Sequence, residues 1–159
     1  MEIKIKGLVD EDFVNYRKPS MYIIFPFCDF KCDKECNSKV CQNGTLANSP
    51  LINVTTNEIV NRYLKNEITS SVVVGGLEPL DSFDYLFELI SDFRRLTNDD
   101  IVIYTGYYLE EKTDLINKLK CFKNIYIKFG RYIPNQEKHY DKVLGISLAS
   151  DNQYGVKLS

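Results

Sequence analysis

Residues 71–80 read Ser71-Val72-Val73-Val74-Gly75-Gly76-Leu77-Glu78-Pro79-Leu80. Three consecutive β-branched residues favour a buried, pleated strand, and two glycines followed shortly by a proline end it. Directly beyond, Asp81 or Ser82 can open a helix whose inward stripe is Phe83, Leu86, Phe87, Ile90 and Phe93, at the spacing of one helical face. A buried strand, a turn and an amphipathic helix make one βα unit, and the flanking sequence repeats that unit.

Downstream, Ile101-Val102-Ile103-Tyr104 is a strand ended by Thr105-Gly106, Leu109 to Leu119 a helix, and Asn124 to Phe129 a further strand before Gly130. Upstream, Met21-Tyr22-Ile23-Ile24-Phe25 is a short apolar run stopped by Pro26. Thr55 or Thr56, with Glu58 close behind, caps a helix carrying Ile59, Val60, Tyr63 and Leu64. This alternation predicts right-handed βαβ units and an α/β fold with a mainly parallel sheet and helices packed outside. Strands near residues 2–6 and 142–148 are expected to extend the sheet. A closed eight-unit barrel needs about 200 residues or more; at 159 residues, read as one domain spanning 1–159, the chain is expected to form a partial, open (β/α) barrel.

Apolar residues make up 44% of the chain, enough for a packed core. The formal charge of −2, with Lys, Asp and Glu mixed, offers no basic stripe for a phosphate backbone, so no nucleic-acid partner is expected. No run approaches the 18 or so apolar residues of a membrane helix, and the first residues lack a secretory pattern, so no membrane role and a cytoplasmic location are expected. In that compartment thiols stay reduced. Four of the five cysteines fall between Cys28 and Cys41, inside a turn-rich stretch read as one long loop from about Asp29 to Pro50, and such clustering indicates a metal site.

The loop reads Cys28-x3-Cys32-x3-Cys36-x4-Cys41. Thiolates at these intervals can surround an iron–sulfur cluster, whereas zinc sites more often use Cys-x2-Cys pairs. A closed four-thiolate iron–sulfur or zinc-binding module without enzymatic activity is the competing reading. Ligands of parallel α/β sheets bind beyond the carboxyl ends of the strands. The cysteine loop, Gly75-Gly76 and Thr105-Gly106 all fall at such ends. Cys121 reads as a small, semi-buried residue near a helix end, and His139, the only histidine, as a solvated loop residue.

On these residues the chain resembles the radical S-adenosylmethionine (SAM) superfamily, and within it the activating proteins of anaerobic ribonucleoside-triphosphate reductases. Cys28 and Cys32 match the first interval of the superfamily's Cys-x3-Cys-x2-Cys signature. Cys41-Gln42-Asn43 is similar to the Cys-His-Asn that closes the motif in the activases, which makes Cys41 the third ligand of a [4Fe–4S] cluster held by the loop 28–43, with Cys36 the alternative. Gly75-Gly76-Leu77-Glu78-Pro79 resembles the Gly-Gly-Glu-Pro motif, with Leu77 as an extra residue, and Tyr104-Thr105-Gly106-Tyr107 resembles the activases' third-strand string. Gly130-Arg131-Tyr132 and Ser150-Asp151-Asn152-Gln153 are similar to shorter strings of that family, although the fourth strand lacks the acidic residues usual there.

The resemblance implies a partial barrel of radical SAM type, with three cysteines on the cluster and the fourth iron left open for SAM. Gly75, Gly76, Glu78, Thr105 and Gly106 would then line the SAM site. It further implies reductive cleavage of SAM to a 5′-deoxyadenosyl radical, used to install a glycyl radical on a partner such as an anaerobic ribonucleotide reductase, with electrons from a flavodoxin or ferredoxin. A radical SAM enzyme that modifies another peptide is the nearest alternative within the class.

Overall fold

The computed structural model describes residues 1–41 and 43–159; Gln42, within the Cys41-Gln42-Asn43 string, lies outside the described residues. The repeating units occur where the apolar periodicity places them. Strands β1 (Glu2–Ile5), β2 (Gly7–Asp12) and β3 (Ser20–Phe25) precede a short helix α1 (Lys31–Cys36). There follow β4 (Ile52–Thr55), α2 (Thr56–Lys65), β5 (Ser71–Gly76), α3 (Phe83–Leu96), β6 (Asp100–Tyr104), α4 (Thr113–Leu119) and β7 (Ile125–Phe129). Three short strands close the sequence: β8 (His139–Asp141), β9 (Ile146–Leu148) and β10 (Tyr154–Lys157).

The main sheet has six strands in the order β10-β7-β6-β5-β3-β2. Its four inner strands, β3, β5, β6 and β7, are parallel and adjacent in chain order, while β2 and β10 flank them antiparallel. Each crossover therefore steps the same way, and the packing helices gather on one face. Among the described residues the sheet does not close into a barrel.

Strand periodicity divides the core in two. Met21, Ile23, Val72, Val74, Ile101, Ile103, Ile125 and Ile127 face the helices and pack with Ile59, Val60, Leu86, Leu89, Ile90, Phe93 and Ile116. Burying one such side chain stabilises the fold by about 1.5–3 kcal/mol. The alternate residues, Val73, Val102 and Tyr126, face the other side, where Tyr16, Leu144 and Leu148 cover them.

Register stacks these inward positions into layers. Ser20, Ser71 and Asp100 form the lowest, Tyr22, Val73, Val102 and Tyr126 the middle, and Ile24 beside Gly75, with Tyr104 beside Lys128, the uppermost. Glycine at the third of these levels makes room for a neighbouring side chain: a Cβ on Gly75 would lie 2.7 Å from the Tyr22 hydroxyl and 3.3 Å from Tyr104 Cβ.

Several local expectations are corrected. The strand at residues 2–5 does not extend the main sheet but pairs antiparallel with β4; its role at the sheet edge is taken by β2. At the other edge the added strand is β10, and residues 146–148 form a separate hairpin with β8. The helix expected over 109–119 is broken into a 3-10 turn at Leu109–Glu111 and the shorter α4. Arg131 binds Glu111, so this turn serves a tertiary contact. A 3-10 turn at Pro79–Ser82 precedes α3, which starts at Phe83. The Thr55 capping box forms as read, its hydroxyl accepting from Glu58 N–H. The loop from Asp29 to Pro50 contains α1 and a 3-10 turn at Leu46–Asn48. Cys121 is exposed, and His139 is a partly buried residue of β8. No helix among the described residues is long and apolar enough to cross a membrane.

Candidate metal centre

The carboxyl ends of β3, β5, β6 and β7 surround a cavity of about 250 Å³. The chain delivers the cysteines there immediately after β3. Cys28, Cys32 and Cys41 all line the cavity, whereas Cys36, at the far end of α1, is not among its lining residues. Gly76, Glu78, Thr105 and Gly106 line it as well. Gly75 does not; its lack of a side chain makes room for the hydroxyl of Tyr22, which does line the cavity. The three rim segments singled out in the sequence thus meet around one space.

The loop is fixed from several directions. Phe30 adopts left-handed backbone, φ 57°, and its N–H donates to Cys28 Sγ at 3.2 Å. Asn43 Nδ2 donates to the Gly76 carbonyl at 2.6 Å, tying the residue two beyond Cys41 to the end of β5. Gly76 has φ +88°, and a Cβ there would clash with the Ile24 side chain. Arg131, itself buried and lining the cavity, donates to both Glu111 oxygens at 2.6 Å and lies over the Tyr108 ring. Its Nε is 3.0 Å from Glu35 Oε1, without the alignment of a hydrogen bond. Lys31 also pairs with Glu111, at 3.4 Å. The helix carrying Cys32 and Cys36 is therefore docked by charges onto the turn before α4.

Glu78 is only 4% exposed. Its carboxylate accepts from Leu80 N–H at 3.0 Å and Gly106 N–H at 2.8 Å, joining the ends of β5 and β6. Burial pushes its pKa up to about 7, against the lowering effect of those two N–H groups. Burial likewise pushes the Cys28 thiol up to about 12 and raises that of Cys32. Without metal these thiols are neutral; a metal would bind them as thiolates and release protons.

Lys128 belongs to none of the sequence motifs described above. It lies on the inward face of β7, lines the cavity, and donates to the Gly130 carbonyl at 3.2 Å. Burial lowers its pKa to about 8, while Glu78 and Cys32 oppose that shift. A signal was present: a charged residue at an inward position of the apolar run Ile125-Tyr126-Ile127-Lys128-Phe129 needs a reason to be there. Tyr22 and Tyr104, also cavity-lining, were hidden because aromatic residues in strands ordinarily read as core.

Three soft sulfur donors lining one cavity fit an iron–sulfur cluster better than a hard-cation site. The sequence matches the family model described as a 4Fe-4S single cluster domain over residues 20–153. The chain belongs to this family. No curated protein matches it. The 4Fe–4S match begins at the first residue of β3 and ends just before β10, so it encloses all four parallel strands and every rim segment described above.

Proposed function

We propose that this 4Fe–4S domain is a radical SAM enzyme of the activase type, built as a partial, open (β/α) barrel over the whole chain and working in the cytoplasm. The carrying observation is that three of the four clustered cysteines line the cavity while Cys36 does not. A site with three thiolates leaves one iron of a [4Fe–4S] cluster without a protein ligand, which SAM binding requires. The stepwise order of the parallel strands β3, β5, β6 and β7 supports reading the sheet as a barrel wound through four strands.

In this reading Cys28, Cys32 and Cys41 hold the cluster. When bound, the reduced cluster and SAM supply one-electron cleavage of the sulfonium, giving methionine and a 5′-deoxyadenosyl radical. The chain's own residues bind and shield. Lys128 offers a cation to the carboxylate of SAM's methionine part, and the missing side chain of Gly106 keeps the rim open. Thr105 and the Gly76 strand end lie beside that space. Glu78 holds the β5 and β6 ends together and places a carboxyl group facing the cavity. At about 250 Å³ the cavity lies just under the usual range for small-molecule sites, so a cluster and SAM together would extend out of its mouth. That opening also gives a polypeptide access, which supports a glycyl-radical partner resembling anaerobic ribonucleotide reductase, with electrons from a flavodoxin or ferredoxin.

The test is electron paramagnetic resonance of anaerobically reconstituted, reduced protein with and without SAM, followed by assay for 5′-deoxyadenosine. The expected result is a [4Fe–4S]⁺ signal that shifts when SAM is added, with SAM consumed. A cluster signal indifferent to SAM would replace this reading with a closed, non-enzymatic cluster module.

A further inference from the structure

The interval from Cys32 to Cys41 is eight residues, too long by itself to define where the second thiol stands relative to the first. The intervening chain is closed on itself by one residue. Asp33 Oδ1 accepts from the backbone N–H of both Val40 and Cys41, each at 2.7 Å. The same residue's carbonyl accepts from Ser38 N–H at 3.2 Å, just after Asn37 turns the chain in left-handed backbone, φ 51°. Asp33 follows Cys32 directly in sequence. A carboxylate next to one cavity-lining cysteine therefore holds the backbone of another, and the excursion containing Cys36 is looped out between them.

We infer that Asp33 is a positioning residue for the cluster: it brings Cys41 into the ligand set in spite of the long interval and keeps Cys36 out of it. The inference rests on the three-thiolate reading of Cys28, Cys32 and Cys41, and not on SAM. Two consequences separate it from general support of the loop. First, fixing two consecutive N–H groups pre-orders Cys41 before metal arrives, so the effect exists in the metal-free protein. Second, the Cys41 N–H is committed to a carboxylate and cannot donate to a cluster sulfur, while a negative charge stands beside the site. Both effects disfavour the reduced cluster, so the potential is held low.

The test uses the full chain as Asp33→Ala, Asp33→Asn and Cys41→Ser. In the metal-free protein, amide hydrogen exchange at Val40 and Cys41 is expected to lose protection in Asp33→Ala, with the thermal transition of the α/β core unchanged. After reconstitution, iron affinity measured by competition with a ferrous chelator is expected to fall by roughly 10–100-fold, the usual effect of removing a residue that orients metal ligands. Asp33→Asn, which keeps an acceptor oxygen but loses the charge, is expected to recover most of the affinity while its cluster potential stays raised. Unchanged exchange at Val40 and Cys41, or unchanged iron affinity in Asp33→Ala alongside loss of the cluster in Cys41→Ser, would overturn the inference and leave the three-thiolate reading standing. Full cluster retention in Cys41→Ser would overturn both.

Discussion

The four parallel strands carry polar residues at both ends of their inward face, and the two ends treat them differently. At the amino end Ser20 and Ser71 share a 2.7 Å hydrogen bond. Beside them Asp100 accepts from the Tyr16 hydroxyl at 3.0 Å and from Lys18 at 2.7 Å. Each group there is satisfied by a neighbour, and the layer is a sealed floor. At the carboxyl end the glycines withhold side chains, burial raises the pKa values of the Cys28 and Cys32 thiols, and a lysine and a glutamate share a cavity whose space they do not fill. Polar groups that satisfy one another stabilise a fold; polar groups arranged around space are arranged for something that enters it.

The strongest way to break this comparison is to remove thiols at the rim. Serine at Cys28, Cys32 or Cys41 is expected to abolish assembly of the cluster, read as iron content and loss of the [4Fe–4S] signal, with little change in the stability of the metal-free chain. Serine at Cys36 is expected to leave iron content near that of the unaltered protein. If Cys36→Ser and Cys41→Ser lose the cluster equally, the cavity does not select the ligands and a four-thiolate site takes its place.

Substitution at Gly76 tests how far the rim also depends on backbone. Alanine there must adopt φ near +88° with its Cβ 2.9 Å from Ile24 Cα, so Gly76→Ala is expected to cost about 2–5 kcal/mol in denaturant unfolding. It is expected to lower cluster retention as well, since Asn43 of the cysteine loop binds the Gly76 carbonyl. A stable variant with normal iron content would show that the strand end and the loop are independent.

The floor should give the opposite pattern. Asp100→Ala leaves the buried Tyr16 hydroxyl without its acceptor, an expected loss of about 1–3 kcal/mol. Lys18 adds little because its side chain is 43% exposed. Iron content is expected to be unchanged. A cluster lost along with stability would mean that the two ends are coupled through the sheet and that the contrast between them is one of degree.

How much of this was readable in the sequence follows from the range of the interactions involved. The parallel strands and α2 and α3 were legible because their apolar periodicity and caps are local; the Thr55–Glu58 capping box is formed within four residues. The meeting of the rim segments was legible too, since strand ends in parallel sheets share a side. The edge strands were not: β1 and β2 are separated only by Lys6, and nothing local says that one pairs with β4 and the other with β3. Nor was the looping-out of Cys36, because the turn that contains it is closed by N–H groups seven and eight positions beyond Asp33 donating to its carboxylate. The break before α4 depends on Arg131, which is 20 residues from Glu111.

That last contact yields the smallest predicted effect and the one with a distinct pH signature. Hydrogen bonds from the Arg131 guanidinium are the main cause holding the Glu111 carboxyl at about 2, well below its ordinary value. A carboxylate whose pKa is lower folded than unfolded contributes stability above its unfolded value, near 4.3, and that contribution is lost as pH falls through about 2. Glu111→Gln is therefore expected to be less stable than the unaltered chain at pH 7 by about 1–2 kcal/mol, a figure reduced for the partial exposure of the carboxylate. The difference should close between about pH 4.5 and pH 2, as the unaltered protein loses the same charge. Urea midpoints for the metal-free chains across that range measure it directly. A difference that persists at low pH would show that Glu111 holds the turn before α4 by shape, and that the cysteine-bearing helix α1 docks there without needing the ion pair.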